Sequence, residues 1–173
     1  MLAFIVTTLV CLVTYLLLTT GSGSILGLWS IEEILIGLLL SMLAGFVSQN
    51  LFIKGSYRMA NPKRWILFLV YLFGPFFISM AKANFDVAYR VITGRIRPGI
   101  VKISPGLKTD LGITMLANSI TLTPGTLSVD VDEETNDLYV HWINVKDEAL
   151  RKKPVDPSFV CGSFPKWVRR IAE

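Results

Sequence analysis

The 173 residues are 52% hydrophobic with a mean hydropathy of +0.55, well above an ordinary soluble domain, and the apolar residues crowd into the first half of the chain. That asymmetry implies a membrane part followed by a soluble part. The net charge of +4 comes from Lys and Arg beside hydrophobic runs, the mark of lipid headgroup contact and topology, and it argues against a nucleic-acid partner.

Leu2–Leu18 is an uncharged apolar run, followed by the flexible break Thr19–Ser24. A signal peptide is the competing reading, but no Lys or Arg precedes the run, so a retained helix is expected. Cys11 lies inside it and reads as a small hydrophobe. With Cys161 as the other cysteine, the pair is too sparse for a disulfide framework or a metal knuckle.

Glu32 and Glu33 open the second apolar segment, Ile34–Ile53, which is long enough to span a bilayer. Carboxylates in a first helical turn favour the positive end of the helix dipole; the functional alternative is an ion ligand at the membrane edge. Gly37, Ser41, Ala44, Gly45 and Ser48 form a small-residue stripe suited to close packing against another helix.

A basic connector follows, Lys54, Arg58, Lys63 and Arg64, with Asn61-Pro62 as a helix start. Trp65–Ala81 is the third apolar stretch. Ten of its residues are Leu, Ile, Phe or Val, together worth about −3 to −6 kcal/mol at a membrane centre. It is expected to insert, with a kink at Gly74-Pro75. The pattern then turns amphipathic. Lys82, Asp86 and Arg90 stand four apart, while Ala81, Phe85, Ala88 and Ile92 share another face, so one long helix leaves the membrane and ends near Gly94. Positive charge does not set the orientation. Four Lys/Arg in the connector face five after Ala81 (Lys82, Arg90, Arg95, Arg97, Lys102), on opposite sides if all three stretches span. Either one basic region lies outside, or one stretch dips in without crossing, and Gly74-Pro75 marks the third as that candidate.

The expected architecture is therefore a membrane α-helical N-terminal region of two to three apolar helices with an amphipathic extension, residues 1–97, and a small soluble α/β domain with a β-hairpin, residues 98–173. Ile100–Ile103 reads as a short strand. Ile113, Leu116, Ala117 and Ile120 have the spacing of a one-sided helix, which Thr123-Pro124-Gly125-Thr126 breaks. Beyond the break the period becomes two. Leu127, Val129 and Val131 alternate with polar residues, and after Glu133–Asp137 so do Leu138, Val140 and Trp142. Pairing Val131 with Leu138, Val129 with Val140 and Leu127 with Trp142 gives a hairpin with one apolar face. The tail from Lys152 contains three prolines and ends in an amphipathic turn of helix carrying Phe164, Trp167, Val168 and Ile171. A core this small supplies only about 3–5 kcal/mol, so the domain is expected to lean on the membrane surface or a partner.

The run ITMLANSITLTPGTLSVDV with LYVHWINV, Ile113–Val131 and Leu138–Val145, resembles the signature of the E subunit of Mrp-type multisubunit Na+/H+ antiporters, most densely over Arg97–Val145. The same subunit type occurs in the antiporter-like arm of archaeal membrane-bound hydrogenases and their relatives. The resemblance implies an accessory, non-catalytic membrane subunit, with other antiporter subunits and the lipid bilayer as partners, in the cell membrane with a cytoplasmic C-terminal domain. The proline-broken tail departs from the more continuous helix expected of the family.

Chemistry is sparse. His141, the one histidine, opposes Ser128 and lies diagonal to Asp130 on the proposed register. A His–carboxylate pair can act as base and orienter, but no nucleophile or ligand set accompanies it, and a solvent-face pair is the better account. Asp130, Asp132, Glu133 and Glu134 lack the fixed loop pattern of a calcium site. No metal, cofactor or catalytic residue is expected. None of the three apolar stretches holds an internal Asp, Glu, Lys, Arg or His, so the chain is not a complete ion path by itself. Two readings of different class remain: an accessory subunit of a cation/proton antiporter module, or a free-standing membrane-anchored adaptor for a cytoplasmic protein.

Overall fold

The computed structural model describes residues 2–21, 28–52 and 61–173, with backbone alone at 2–3 and 48–52. Lys54, Arg58, Ile53, the Ser22–Ser24 half of the Thr19–Ser24 break and the Ser48 side chain lie outside the described residues. Two compact units result, Met1–Ala60 and Asn61–Glu173. The helix before the expected domain boundary at residue 97 lies in the second of these units, with the α/β residues that follow it.

The first unit is a helical hairpin of α1 (Leu2–Leu18) and α2 (Ile31–Phe52). The small-residue stripe of α2 packs against α1. A Cβ on Gly37 would sit 2.5 Å from the Tyr15 ring, and one on Gly45 would collide with Thr8 Oγ1. Ser41, between them, is buried. Contacts that pair position 15 with 37 and 8 with 45 make the helices antiparallel. Trp29 Nε1 donates to the Leu16 carbonyl at 2.8 Å, tying the start of α2 to the end of α1.

In the second unit α3 (Pro62–Tyr71), a π-turn (Leu72–Phe76) and α4 (Phe77–Thr93) form one continuous helix. Asn61 caps it, its Oδ1 accepting from Lys63 N, with Pro62 in the first turn. Gly94, at φ +66°, closes it by donating to the Arg90 carbonyl. The predicted ends both stand. Pro75, which lacks an N–H, is accommodated inside the π-turn. Five residues apart, Tyr71 and Phe76 would diverge on an α-helix; the wider turn puts both on the buried face, their ring centroids 6.1 Å apart. Among the described residues Pro62–Thr93 is the helix both long and apolar enough to cross a membrane, while Phe4–Leu18 is apolar but shorter.

Strands β1 (Gly99–Ile103), β2 (Thr126–Asp132) and β3 (Asp137–Trp142) form an antiparallel sheet in the order β1-β3-β2. The core lies between the inner face of this sheet (Val101, Ile103, Leu138, Val140) and α5 (Asp110–Thr121), which contributes Ile113, Leu116 and Ile120. Thr109 caps α5, accepting from Gly112 N. The tail forms a short α6 (Pro157–Cys161) and α7 (Phe164–Ala172), whose Phe164, Val168 and Ile171 are buried. Val155 runs beside Ile103, its N–H bonded to the Lys102 carbonyl, and so covers part of the β1 edge.

The hairpin register differs from the predicted one. Val131 does pair with Leu138, but Ser128, not Val129, faces Val140, and Leu127 faces His141 instead of Trp142. A β-bulge at Val129 shifts the pairing. Its cause is α5. Ser128 Oγ donates to the Ala117 carbonyl and Ser128 N donates to Thr121 Oγ1, turning Ser128 inward against the helix end. Leu127 and Val129 are left about half exposed on the outer face.

Candidate functional site

The residues with chemical potential divide into four places. At the start of α2, Ser30 and Glu33 form a reciprocal capping box: Ser30 N donates to Glu33 Oε2 at 2.9 Å and Glu33 N donates to Ser30 Oγ at 3.2 Å. Glu33 thus has a structural task, and the Ser-x-x-Glu spacing was readable in the sequence. Glu32 beside it is exposed.

On the outer sheet face, the register corrections move His141. Its cross-strand neighbours are Ile100 and Leu127, both exposed and apolar, in place of the expected Ser128. Asp130 faces Tyr139, as in the predicted register, and its Oδ1 accepts from Val131 N, so its hydrogen bond is to its own strand and not to His141.

The acidic loop organises a turn. Asp132 Oδ1 accepts from the N–H groups of Glu134 and Thr135, and Asn136 takes the left-handed conformation, φ +59°. Across the end of the hairpin Asp132 and Asp137 face each other, two like charges that would repel. Lys102 reaches over from β1 and neutralises both, its Nζ 3.2 Å from Asp132 and 3.1 Å from Asp137. The two carboxylates raise the Lys102 pKa, Asp137 most strongly. Asp132 is held below the usual carboxylate range by its hydrogen bond with Thr135, helped by Lys102. Burial works against ionisation of Asp137, but hydrogen bonds from Ser104 and Lys102 outweigh it and lower its pKa too. Sequence reading missed this cluster because its three members come from three strands. Among the described residues, no three His, Cys, Asp or Glu side chains gather closely enough for a metal ion. Cys161 is buried, which pushes its thiol up to about 12 and leaves it unreactive.

The cluster predicts a pH response. Depressed carboxylate pKa values stabilise the fold above the unfolded carboxylate range, and that contribution is lost as pH falls through the folded values. Lys102→Met removes the shared cation, so both carboxylates titrate higher. The acid-unfolding midpoint, followed by tryptophan fluorescence of the detergent-solubilised chain, should move to higher pH. An unchanged midpoint means the cluster is a solvated surface with no stability linkage.

The fourth place is the contact of the long helix with the tail and α5. Tyr71, buried, donates its hydroxyl to Ser119 Oγ at 2.7 Å, and Ser119 in turn donates to the Met115 carbonyl. Phe164 meets the Tyr71 ring edge-on at 5.7 Å and Phe76 at 6.0 Å. Arg64 Nη1 donates to the Ile171 carbonyl at 2.7 Å, at the carbonyl end of α7. Arg169 Nη2 donates to the Pro105 and Gly106 carbonyls, and Glu173 accepts from Lys108 N and Thr109 N. The proline-broken tail is therefore an integral wall of the domain. A tyrosine inside an apolar run and a serine on the core side of α5 were the available clues. The arrangement binds elements together and presents no nucleophile, base or ligand set.

Comparison with known proteins bears on these features. The pattern of the Na+/H+ ion antiporter subunit family matches residues 8–159. The E subunit of the Na(+)/H(+) antiporter of Alkalihalophilus pseudofirmus is 33% identical over 73% of this chain and 78% of its own length. The E1 subunit of the Na(+)/H(+) antiporter of Staphylococcus haemolyticus is 31% identical over 85% of this chain and 87% of its own. Among solved structures, a chain of the membrane-bound sulfane sulfur reductase, an archaeal respiratory membrane complex, superposes with a TM-score of 0.78 at 34% identity, covering 98% of both chains.

Proposed function

We propose, from the premise that this chain belongs to the E-subunit family of Na+/H+ antiporters, that it is an accessory, non-catalytic subunit of a monovalent cation/proton antiporter module. It supports assembly and stability while other membrane subunits carry the ions. The module is either a stand-alone antiporter or the antiporter-like arm of an archaeal respiratory complex, in the cell membrane with the α/β domain in the cytoplasm. The observation that carries this reading is the absence of any Asp, Glu, Lys, Arg or His inside Leu2–Leu18, Ile34–Ile53 and Trp65–Ala81. The nearest carboxylates stand at the start of α2, where Glu33 caps the helix.

Mild detergent extraction tests the assignment. Co-purification with several polytopic membrane proteins supports it, and redox subunits among them identify the respiratory setting. A chain that purifies alone supports the free-standing adaptor instead. The ion-path element has its own test. Replacing Glu32 and Glu33 together with Gln removes both charges, and Gln still serves in a capping box. Surface changes of this kind stay within about ±0.5 kcal/mol, roughly twofold in assembly. Cation/proton exchange in everted vesicles, normalised to assembled complex, should match the parent. A fully assembled complex that no longer exchanges ions places Glu32 or Glu33 in an entry site and removes the accessory label.

A further inference from the structure

Composition alone marks Pro62–Thr93 as a membrane span, with a mean hydropathy of 1.8 over its most apolar window. Its surroundings point elsewhere. One face is engaged with the α/β domain from Arg64 to Phe76, through Arg64 with the Ile171 carbonyl, Tyr71 with Ser119 and Phe76 with Phe164; α4 buries no residue, but its Val87 still faces Gly125, where an added Cβ would lie 3.2 Å away. At 1.5 Å per residue, Arg64 to Val87 covers about 35 Å, more than the roughly 30 Å hydrocarbon core. A helix standing across the bilayer would carry α5 and α7 into it. Lys166, Arg169 and Arg170 on α7 are exposed, and at about 2.5–3.5 kcal/mol each near the centre they outweigh the −3 to −6 kcal/mol that the apolar run gains.

The opposite face tells the other half. Trp65, Leu69, Phe73, Ile78, Phe85 and Ile92 follow one another along the side turned away from the domain and are 49–85% exposed. The π-turn keeps that side in phase, because it holds Tyr71 and Phe76 together on the domain face. Exposed Lys63 and Lys82 accompany the stripe. Tryptophan, phenylalanine and leucine on one side of a helix with lysines at its margin is the composition of a helix lying in the bilayer interface.

We propose that Pro62–Thr93 is a monotopic helix lying flat in the membrane interface, its outward stripe among lipid acyl chains and the α/β domain on its water side, and that it is not a third span. The inference holds whichever subunits surround the chain.

Depth measurement tests it. In a Cys11→Ser, Cys161→Ala background, single cysteines replace Trp65, Leu69, Phe73, Ile78, Phe85 and Ile92 in turn. Each carries a nitroxide, in full-length chain reconstituted in vesicles of phosphatidylcholine and phosphatidylglycerol. All six positions are exposed, so the substitutions spare the core, and an unchanged circular dichroism melt verifies this. Oxygen and nickel-chelate accessibilities should place all six at one shallow depth, about 5–10 Å below the headgroups. A gradient reaching about 15 Å near Phe73, with the two ends at opposite surfaces, shows a span and overturns the proposal. Labels at aqueous depth, or labels shielded from both oxygen and nickel, overturn it as well, the last by showing a protein cover in place of lipid.

Discussion

Gly125→Val should deplete folded subunit from the membrane by well over tenfold while leaving the specific activity of whatever assembles unchanged. Gly125 has φ +86°, a region that costs an L-residue about 1–2 kcal/mol and that a β-branched side chain tolerates worst. Space compounds the strain. A Cβ here would lie 2.9 Å from Ile143 Cγ2 and 3.2 Å from Val87 Cγ2, so the new side chain wedges the β3 exit apart from α4. The backbone has no room to yield, because the Gly125 carbonyl accepts from Ile143 N at 2.9 Å. Strain and overpacking together reach roughly 2–5 kcal/mol, comparable to the whole margin of a small domain. Gly125→Ala should give a milder loss of the same kind. Quantitative immunoblotting of membranes beside transport per assembled complex reads the result. Normal abundance with lost transport would make the Thr123–Thr126 turn a functional loop.

Phe164→Ala should be nearly as damaging, through a cavity. Phe164 is 2% exposed and packs against both Tyr71 and Phe76. Truncating a buried phenylalanine costs about 3–5 kcal/mol. At roughly 4 °C per kcal/mol for a unit of this size, the melting temperature of the reconstituted chain should fall by about 12–20 °C. Hydrogen exchange should show the effect on both walls of the cavity, Tyr71–Phe76 and Phe164–Ala172, because the ring joins the long helix to the tail. Phe164→Leu refills most of the volume and should recover most of the loss. A melting temperature equal to the parent's would mean that the tail does not dock on the helix.

Much of this fold was legible because its signals are local. Asn61-Pro62 and Gly94 bound the long helix through backbone groups within a few residues. The change from helical to two-residue period at Thr123–Thr126 marks the end of α5 and the start of β2, and the glycine in between has a positive φ. The small-residue stripe of α2 was readable as a packing face, and Tyr15 and Thr8 of α1 fill it. The hairpin register was not legible in the same way. Alternation favours Val129 inward, and only the hydrogen bonds of Ser128 to Ala117 and Thr121 outbid it. The expected neighbour of His141 changed with that register, because the extra residue at Val129 puts Leu127 opposite it in place of Ser128.

The sequence by itself determined the family, the caps, the apolar runs free of formal charge, and the place where helix gives way to strand. Each depends on residue identity and short spacing. Tertiary structure decided which side of Pro62–Thr93 is engaged with the rest of the chain. Hydropathy sums over a segment and carries no record of which side of the helix is engaged, so a span and an interfacial helix score alike. The fold supplies that record. It places Tyr71 on Ser119, Phe76 on Phe164 and Arg64 on the end of α7, contacts made between residues up to 107 positions apart. With one face committed to the domain, only the opposite stripe is left for lipid.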